Sequence, residues 1–254
     1  MRRTSRLFAA FCLLAPGPAA AVDGLFLRGG AAMALVDTID GVIVSSTDSA
    51  ELDQEVTNGV AIDLALGYRS GRYALALQGG YARNGLGRST ATFASDGAVS
   101  IVEQSGTFQR FNLGLTLDTD LARIPLGGIG VSARPFVSVG LGYQWARFRY
   151  DERTNSLGQF SDGRFAPSQQ FIGTSGLGLG FTLPNGWDAE LRYTAALVAD
   201  ARFEGEGTQT GATLGFAQLQ QNIGVGLSVP LATLLPGRDA GRRPRDPTID
   251  PLGW

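Results

Sequence analysis

Eleven polar residues recur at alternating positions within otherwise apolar or small-residue stretches: Arg28, Asp63, Gln78, Arg110, Asn112, Asp118, Gln144, Gln170, Asp188, Glu190 and Arg192. Two of their carboxylates, held across one bond, could serve as general acid and general base. The competing use is an ion-pair and hydrogen-bond network, and Asp188 and Glu190 already share a strand face with Arg192. The rest of the chain supports little chemistry. It contains no histidine, and all 21 basic residues are arginine, so a histidine base, a histidine metal ligand and a lysine Schiff base are excluded. The one cysteine, Cys12, lies in an apolar N-terminal run that reads as a leader, which leaves the mature chain without a thiol. Asp37, Asp40, Asp48, Glu51, Asp53 and Glu55 are acidic but lack the tight ligand spacing of a calcium loop, and they read as a solvated loop. Gly140-Leu141-Gly142 and Gly176-Leu177-Gly178-Leu179-Gly180 are not dinucleotide fingerprints, because no helix follows them. The residues therefore predict no catalytic group, no cofactor and no metal site, and the chain reads as a non-enzyme.

What must position the eleven is a set of strands. In residues 60–69, Val60, Ile62, Leu64, Leu66 and Tyr68 alternate with Ala61, Asp63, Ala65, Gly67 and Arg69. Successive side chains of a strand point to opposite faces, so one face is apolar and the other small or charged. The pattern repeats near 24–36, 72–83, 107–119, 134–149, 167–183, 186–201 and 213–229, with the second strand near 58–69. Glycine, 36 of 254 residues, falls mostly on the small face, where it relieves crowding in a narrow lumen. Ser70-Gly71 and Pro184-Asn185-Gly186 read as tight turns in which Gly and Asn supply positive φ. The stretch 120–133 is longer and irregular. Segments 37–57, 84–106, 150–166 and 202–212 read as long polar loops. The expected fold class is all-β: an eight-stranded antiparallel transmembrane β-barrel with short periplasmic turns and long extracellular loops.

Charge decides which face meets lipid. An arginine on the lipid face at the midplane costs roughly 2–4 kcal/mol, so Arg110, Arg192 and the carboxylates beside them must point into the lumen. An eight-stranded barrel has room for little besides its own side chains, which favours the network over catalysis. Tyr68, Tyr73, Phe181 and Trp187 lie beside the short turns. Tyr81, Phe111, Tyr143, Trp145 and Phe171 lie toward the long loops. Two aromatic girdles around an aliphatic band suit a bilayer. Arg83, Arg147 and Arg149 sit just beyond the loop-side girdle, where guanidinium groups would meet phosphates of lipopolysaccharide.

Residues 1–21 read as a secretory signal: Arg2, Arg3 and Arg6, the apolar run Leu7–Leu14, and small residues at Ala19–Ala21. Residues 22–229 form the barrel domain. Residues 230–254, rich in Pro and Arg, read as a disordered periplasmic tail. The formal charge of −2 gives no field for nucleic acid.

Three segments resemble the small outer-membrane barrels of the opacity and 25-kDa-antigen type, relatives of the eight-stranded OmpA barrel. They are Ala65-Leu66-Gly67-Tyr68-Arg69 running on to Gly79-Gly80-Tyr81, Pro135 to Tyr143, and Glu190-Leu191-Arg192-Tyr193-Thr194. The resemblance spans residues 24–229. It implies a surface-exposed envelope protein of the Gram-negative outer membrane, structural or adhesive, with both termini periplasmic and no established active site. The implied partners are outer-membrane lipids and lipopolysaccharide, the barrel-assembly machinery, and extracellular ligands held by the loops. Asn222-x-Gly224-x-x-Leu227-x-Val229 follows the family's last-strand pattern with aliphatic residues in place of aromatic ones. A small porin-like channel is the alternative reading. An envelope enzyme is the weakest, because barrel lipases and proteases rely on histidine.

Overall fold

The computed structural model describes residues 23–36, 38–46, 48–127, 130–155, 164–206 and 211–234. The expected signal, residues 1–21, lies outside the described residues, as does the tail beyond 234. The strands are β1 (Gly24–Val36), β2 (Ile39–Val44), β3 (Ser49–Ser70), β4 (Tyr73–Phe93), β5 (Val99–Asp120), β6 (Ile124–Pro125), β7 (Ser132–Asn155), β8 (Arg164–Phe165), β9 (Ser168–Thr182), β10 (Asp188–Glu206) and β11 (Thr213–Pro230). One helical turn, α1 (Leu231–Leu234), follows.

Eight strands close into an antiparallel ring. β1 pairs with β3, the ladder continues through β4, β5, β7, β9, β10 and β11, and β11 pairs back to β1. Closure leaves no open edge, which is the condition for a sheet to cross lipid. β2 prolongs β1 between the same neighbours, β11 and β3. β6 and β8 are two-residue additions to β7 and β10.

At the short-turn end, Ser70 pairs with Tyr73 across Gly71-Arg72. Gly71 has φ +56 and, among the described residues, no non-glycine residue has positive φ, so glycine provides the left-handed position. The same fact corrects the reading of Asn185. It does not take positive φ; its side-chain Oδ1 accepts the Trp187 N–H at 3.1 Å, while Gly186 adopts φ +82. Both ends of the barrel domain, Gly24 and Pro230, sit at this short-turn end.

The opposite end departs from the expectation of long loops. Segments 37–57 and 84–106 are mostly ladder, and their hairpins turn only at 45–48 and 94–98. The alternation does not stop where the lipid-facing pattern ends; it inverts. Register shifts interrupt the ladders at Gln54/Val56, Thr57/Val60, Leu86/Ser89, Ser105/Gly106 and Val198/Ala201. Together with the break between β1 and β2, these irregularities form a band around the barrel. Each extra residue re-aims the side chains beyond it. Inward positions on β3 are odd-numbered from Gly59 to Arg69 and even-numbered from Ala50 to Val56. β4 and β10 switch in the same way.

Below the band the exposed wall is aliphatic, with Leu25, Val60, Ile62, Leu64, Leu75, Leu115, Val139 and Val225 on it. Above it the exposed wall carries Asp40, Glu51, Asp53, Glu55, Arg88, Glu103, Asp200, Arg202 and Glu204, interspersed with Val42, Val44, Val99 and Ile101. The acidic residues expected in a loop are thus placed on sheet: Asp40 lies opposite Asp53 on adjacent strands, facing out. Asp48 stands at the hairpin turn, and Asp37 lies outside the described residues.

Candidate functional site

The lumen has three levels. Toward the short turns lies an ionic layer. Arg134, on β7, has no exposed surface. Its Nη1 meets Asp120 Oδ1 at 2.6 Å, and its Nη2 meets Glu190 Oε1 at 3.0 Å and Asp188 Oδ2 at 3.3 Å. Arg69 donates to Asp188 at 2.6 Å. Arg28 and Arg192 both reach Asp118 Oδ2, at 2.8 and 2.7 Å, and Arg192 also meets Glu190 at 3.1 Å. Gln78 accepts from Arg28 and from the Thr116 hydroxyl. Arg123 meets Asp120 Oδ2 at 3.4 Å, so five guanidinium groups, Arg28, Arg69, Arg123, Arg134 and Arg192, face four carboxylates, Asp118, Asp120, Asp188 and Glu190. Each of these four carboxylates is paired with arginine. The Phe136 ring lies within this layer, with the Arg192 guanidinium 4.6 Å and that of Arg134 5.2 Å from its centroid. Phe136 faces Gly178 across the ladder. A Cβ at Gly178 would run into that ring and into Leu191 O, so the glycine is what admits the aromatic side chain.

The middle level is a cavity of about 110 Å³, lined among others by Asp63, Arg110, Asn112, Gln144, Thr194 and Asn222. The third level is apolar. Phe108, Phe148, Phe165, Phe203, Phe216, Ile39, Val198 and Leu214 form one buried cluster with Ile43, Leu52 and Val56 against it. Phe108 stacks on Phe148 at 4.8 Å and Phe203 on Phe216 at 5.4 Å. An ionic layer thus lies below the cavity and an aromatic layer above it.

The eleven polar residues named from sequence are all on inward positions. Seven of them, Arg28, Asp118, Gln144, Gln170, Asp188, Glu190 and Arg110, are buried outright. They do not form one cluster. Arg28, Gln78, Asp118, Asp188, Glu190 and Arg192 belong to the ionic layer, whereas Asp63, Arg110, Asn112 and Gln144 surround the cavity and Gln170 lies across the ladder from Gln144. Arg69, Arg134 and Asp120 are central to the layer and were not among the eleven. Their signal was parity: each stands in step with the inward residues of its strand, but at a strand end, where alternation alone fixes no boundary.

On the outer wall, Tyr81, Phe111 and Trp145 are successive cross-strand neighbours. Phe111 and Trp145 centroids are 5.5 Å apart, Trp145 and Tyr143 5.2 Å, and Tyr143 and Phe171 5.0 Å. This loop-side aromatic row covers β4, β5, β7 and β9 only. Tyr68 and Tyr73 flank one short turn, and Phe181 and Trp187 flank another. One step above the aromatic row, Arg83, Gln109 and Arg147 form a second cross-strand row, all on outward-facing positions. Arg149 is exposed two residues beyond Arg147. Among the described residues, none of these three arginines has an ion-pair partner.

A closed antiparallel ring with an aliphatic exterior and buried, mutually neutralised charges defines a transmembrane β-barrel. No protein-family model matches the chain, and no curated protein matches it. Three solved structures share the architecture of small outer-membrane barrels. Neisserial surface protein A is 15% identical over 81% of this chain and 96% of its own, with a TM-score of 0.43. OprG from Pseudomonas aeruginosa is 13% identical over 83% of this chain and 97% of its own, with a TM-score of 0.45. The N-terminal β-barrel domain of Pseudomonas aeruginosa OprF is 15% identical over 82% and 99%, with a TM-score of 0.34.

Proposed function

We propose that the protein is a surface-interaction protein of the Gram-negative outer membrane. The lower barrel is its anchor, and the upper, water-exposed barrel carries its recognition surface. The observation that carries this reading is the inversion at the bulge band. Below it the wall suits hydrocarbon; above it the wall carries charge and the interior is mainly apolar, with Gln54 and Gln104 hydrogen-bonded within it, as in a barrel surrounded by water. Recognition is then presented on stiff sheet rather than on slack loops. Both termini face the periplasm in this reading, and the barrel-assembly machinery inserts the chain. Charge-bearing layers and stacked phenylalanines fill the lumen, which favours an anchor over a porin-like channel.

Arg83, Arg147 and Arg149 stand where the aromatic row would meet head groups, and they are the contacts we assign to lipopolysaccharide phosphate. Lipopolysaccharide co-purifying with the Arg83→Ala/Arg147→Ala/Arg149→Ala variant should fall several-fold below wild type, as expected from losing charge-assisted bonds. Equal retention removes this contact. The anchor reading is tested separately: the chain should partition with the outer membrane, migrate differently before and after boiling, and give no stepwise currents in planar bilayers. Unitary currents from the purified barrel would replace it with the channel reading.

A further inference from the structure

Arg110 is the one guanidinium of the lower lumen that stands outside the ionic layer. It is 3% exposed, and among the described residues no carboxylate lies within ion-pair distance of it. Its Nη2 donates to Asn84 Oδ1 at 2.8 Å. Asn84 cannot be turned the other way, because its Nδ2 is held by the carbonyls of Ala34 and Thr57 at 2.9 and 3.0 Å. This contact places the arginine beside the cavity but brings it no counter-charge. The Nε of Arg110 is buried without an acceptor. Gln144, on the neighbouring strand and one rung nearer the short turns, is 1% exposed, and its Nε2 also lacks an acceptor. Both residues line the cavity. Two carboxylates line the cavity: Glu190 is paired with Arg134 and Arg192, and Asp63 has Arg28, Arg192 and Glu190 as its charged neighbours; Arg110 serves neither.

The Phe108 ring, its centroid 5.5 Å from the Arg110 guanidinium carbon, is a second neutral partner beside Asn84. A buried cation with no counter-charge and no water-facing surface is strongly disfavoured, and an amide donor left unsatisfied beside it adds to the deficit. We infer that the cavity holds a small monovalent inorganic anion of chloride size, bound by the Arg110 guanidinium and the Gln144 amide. Its volume, about 110 Å³, admits such an ion with a few waters.

The test is to refold the full chain from urea into detergent micelles in sodium bromide or sodium gluconate at equal ionic strength. The folded form, which migrates differently on an unboiled gel, is then heated through its unfolding transition. Wild type should unfold at a higher temperature in bromide, with a saturable dose dependence, and crystals grown in bromide should show an anomalous peak beside Arg110 and Gln144. Arg110→Gln should weaken the apparent bromide affinity about tenfold or more, as for loss of a charge-assisted bond. If Arg110→Gln does not fold, Gln144→Leu, which keeps the charge, should show a smaller loss, and the bromide peak decides alongside it. Equal melting in bromide and gluconate with no lumenal peak would mean that only water fills the cavity. Bromide dependence unchanged in the variants would place the effect elsewhere; either result overturns the assignment.

Discussion

Below the bulge band, the barrel puts aliphatic side chains outside and arginine–carboxylate pairs inside. Above it, the same strands put carboxylates and arginines outside and stacked phenylalanines inside. One continuous sheet is thus built for two solvents. The means is local: extra residues on β3, β4 and β10, and between β1 and β2, switch which residues face the lumen. Without those shifts, Glu51, Asp53 and Glu55 would turn inward and Leu52 and Val56 outward, because a one-residue slip moves every side chain to the other face. Stability therefore has different sources in the two regions. In the lower region lipid solvates the exterior, so specific pairing must fill the lumen. In the upper region burial of apolar surface supplies the driving force, as in a water-soluble domain.

The largest expected effect comes from breaking the lower region at its centre. Arg134→Met removes one partner from Asp120, Asp188 and Glu190 at once and leaves buried carboxylates short of positive charge. Breaking a buried pair in this way costs about 3–5 kcal/mol, which should lower the urea midpoint in vesicles by a wide margin. In the upper region Phe203→Leu exchanges one apolar side chain for a smaller one, and about 1 kcal/mol is expected. Equal losses from the two changes would erase the distinction between an ionic and an apolar interior.

The outer walls give a second contrast. Leu64 and Val42 are both exposed, 66% and 45%, but lie on opposite sides of the band. Leu64→Arg puts a charge in hydrocarbon and should cost roughly 2–4 kcal/mol. Val42→Arg puts it in water beside Glu51, its cross-strand neighbour, and should change stability by no more than about 0.5 kcal/mol. Equilibrium unfolding in the same vesicles compares them. If Val42→Arg were as damaging as Leu64→Arg, the lipid boundary would lie higher than the bulges place it.

These contrasts also show what could be read from the chain. Strand number, facing and the inward direction of Asp63, Arg110 and Arg192 follow from alternation plus the cost of charge in lipid, both local and strong signals. The upper barrel was not visible, although Glu51-Leu52-Asp53-Gln54-Glu55-Val56 alternates as strictly as Val60 to Tyr68 does. It carries the opposite polarity, and with lipid taken as the only outside solvent, an acidic outward face looked like loop. Arg134 and Asp120 escaped because ion pairing joins β5, β7 and β10, and cross-strand register cannot be read from one strand at a time. The cavity was equally hidden, since it is defined by which side chains fail to meet.

The smallest expected effect concerns how the two upper hairpins hold together. Asp48, in the turn between β2 and β3, accepts the Ser95 hydroxyl at 2.6 Å and the Ser49 N–H at 2.8 Å, and Ala94 N donates to Ser49 O at 2.8 Å. The Ser95 hydroxyl, and then the Ser49 amide, hold the Asp48 carboxyl below its ordinary value of 3.8. A carboxyl lowered in the folded state adds stability that is present above its ordinary value and is lost as pH falls through the lowered one. Protection of the Ala94 amide from hydrogen exchange, corrected for the intrinsic rate, should therefore be constant near neutrality and decline only in acid, below about pH 4. Asp48→Asn should lower it at neutral pH and remove the acid-dependent step. Protection in wild type that is indifferent to acid, or a step that survives in Asp48→Asn, would mean that the two tips are joined by backbone alone. The charged upper wall would then have no part in fixing the surface that it presents.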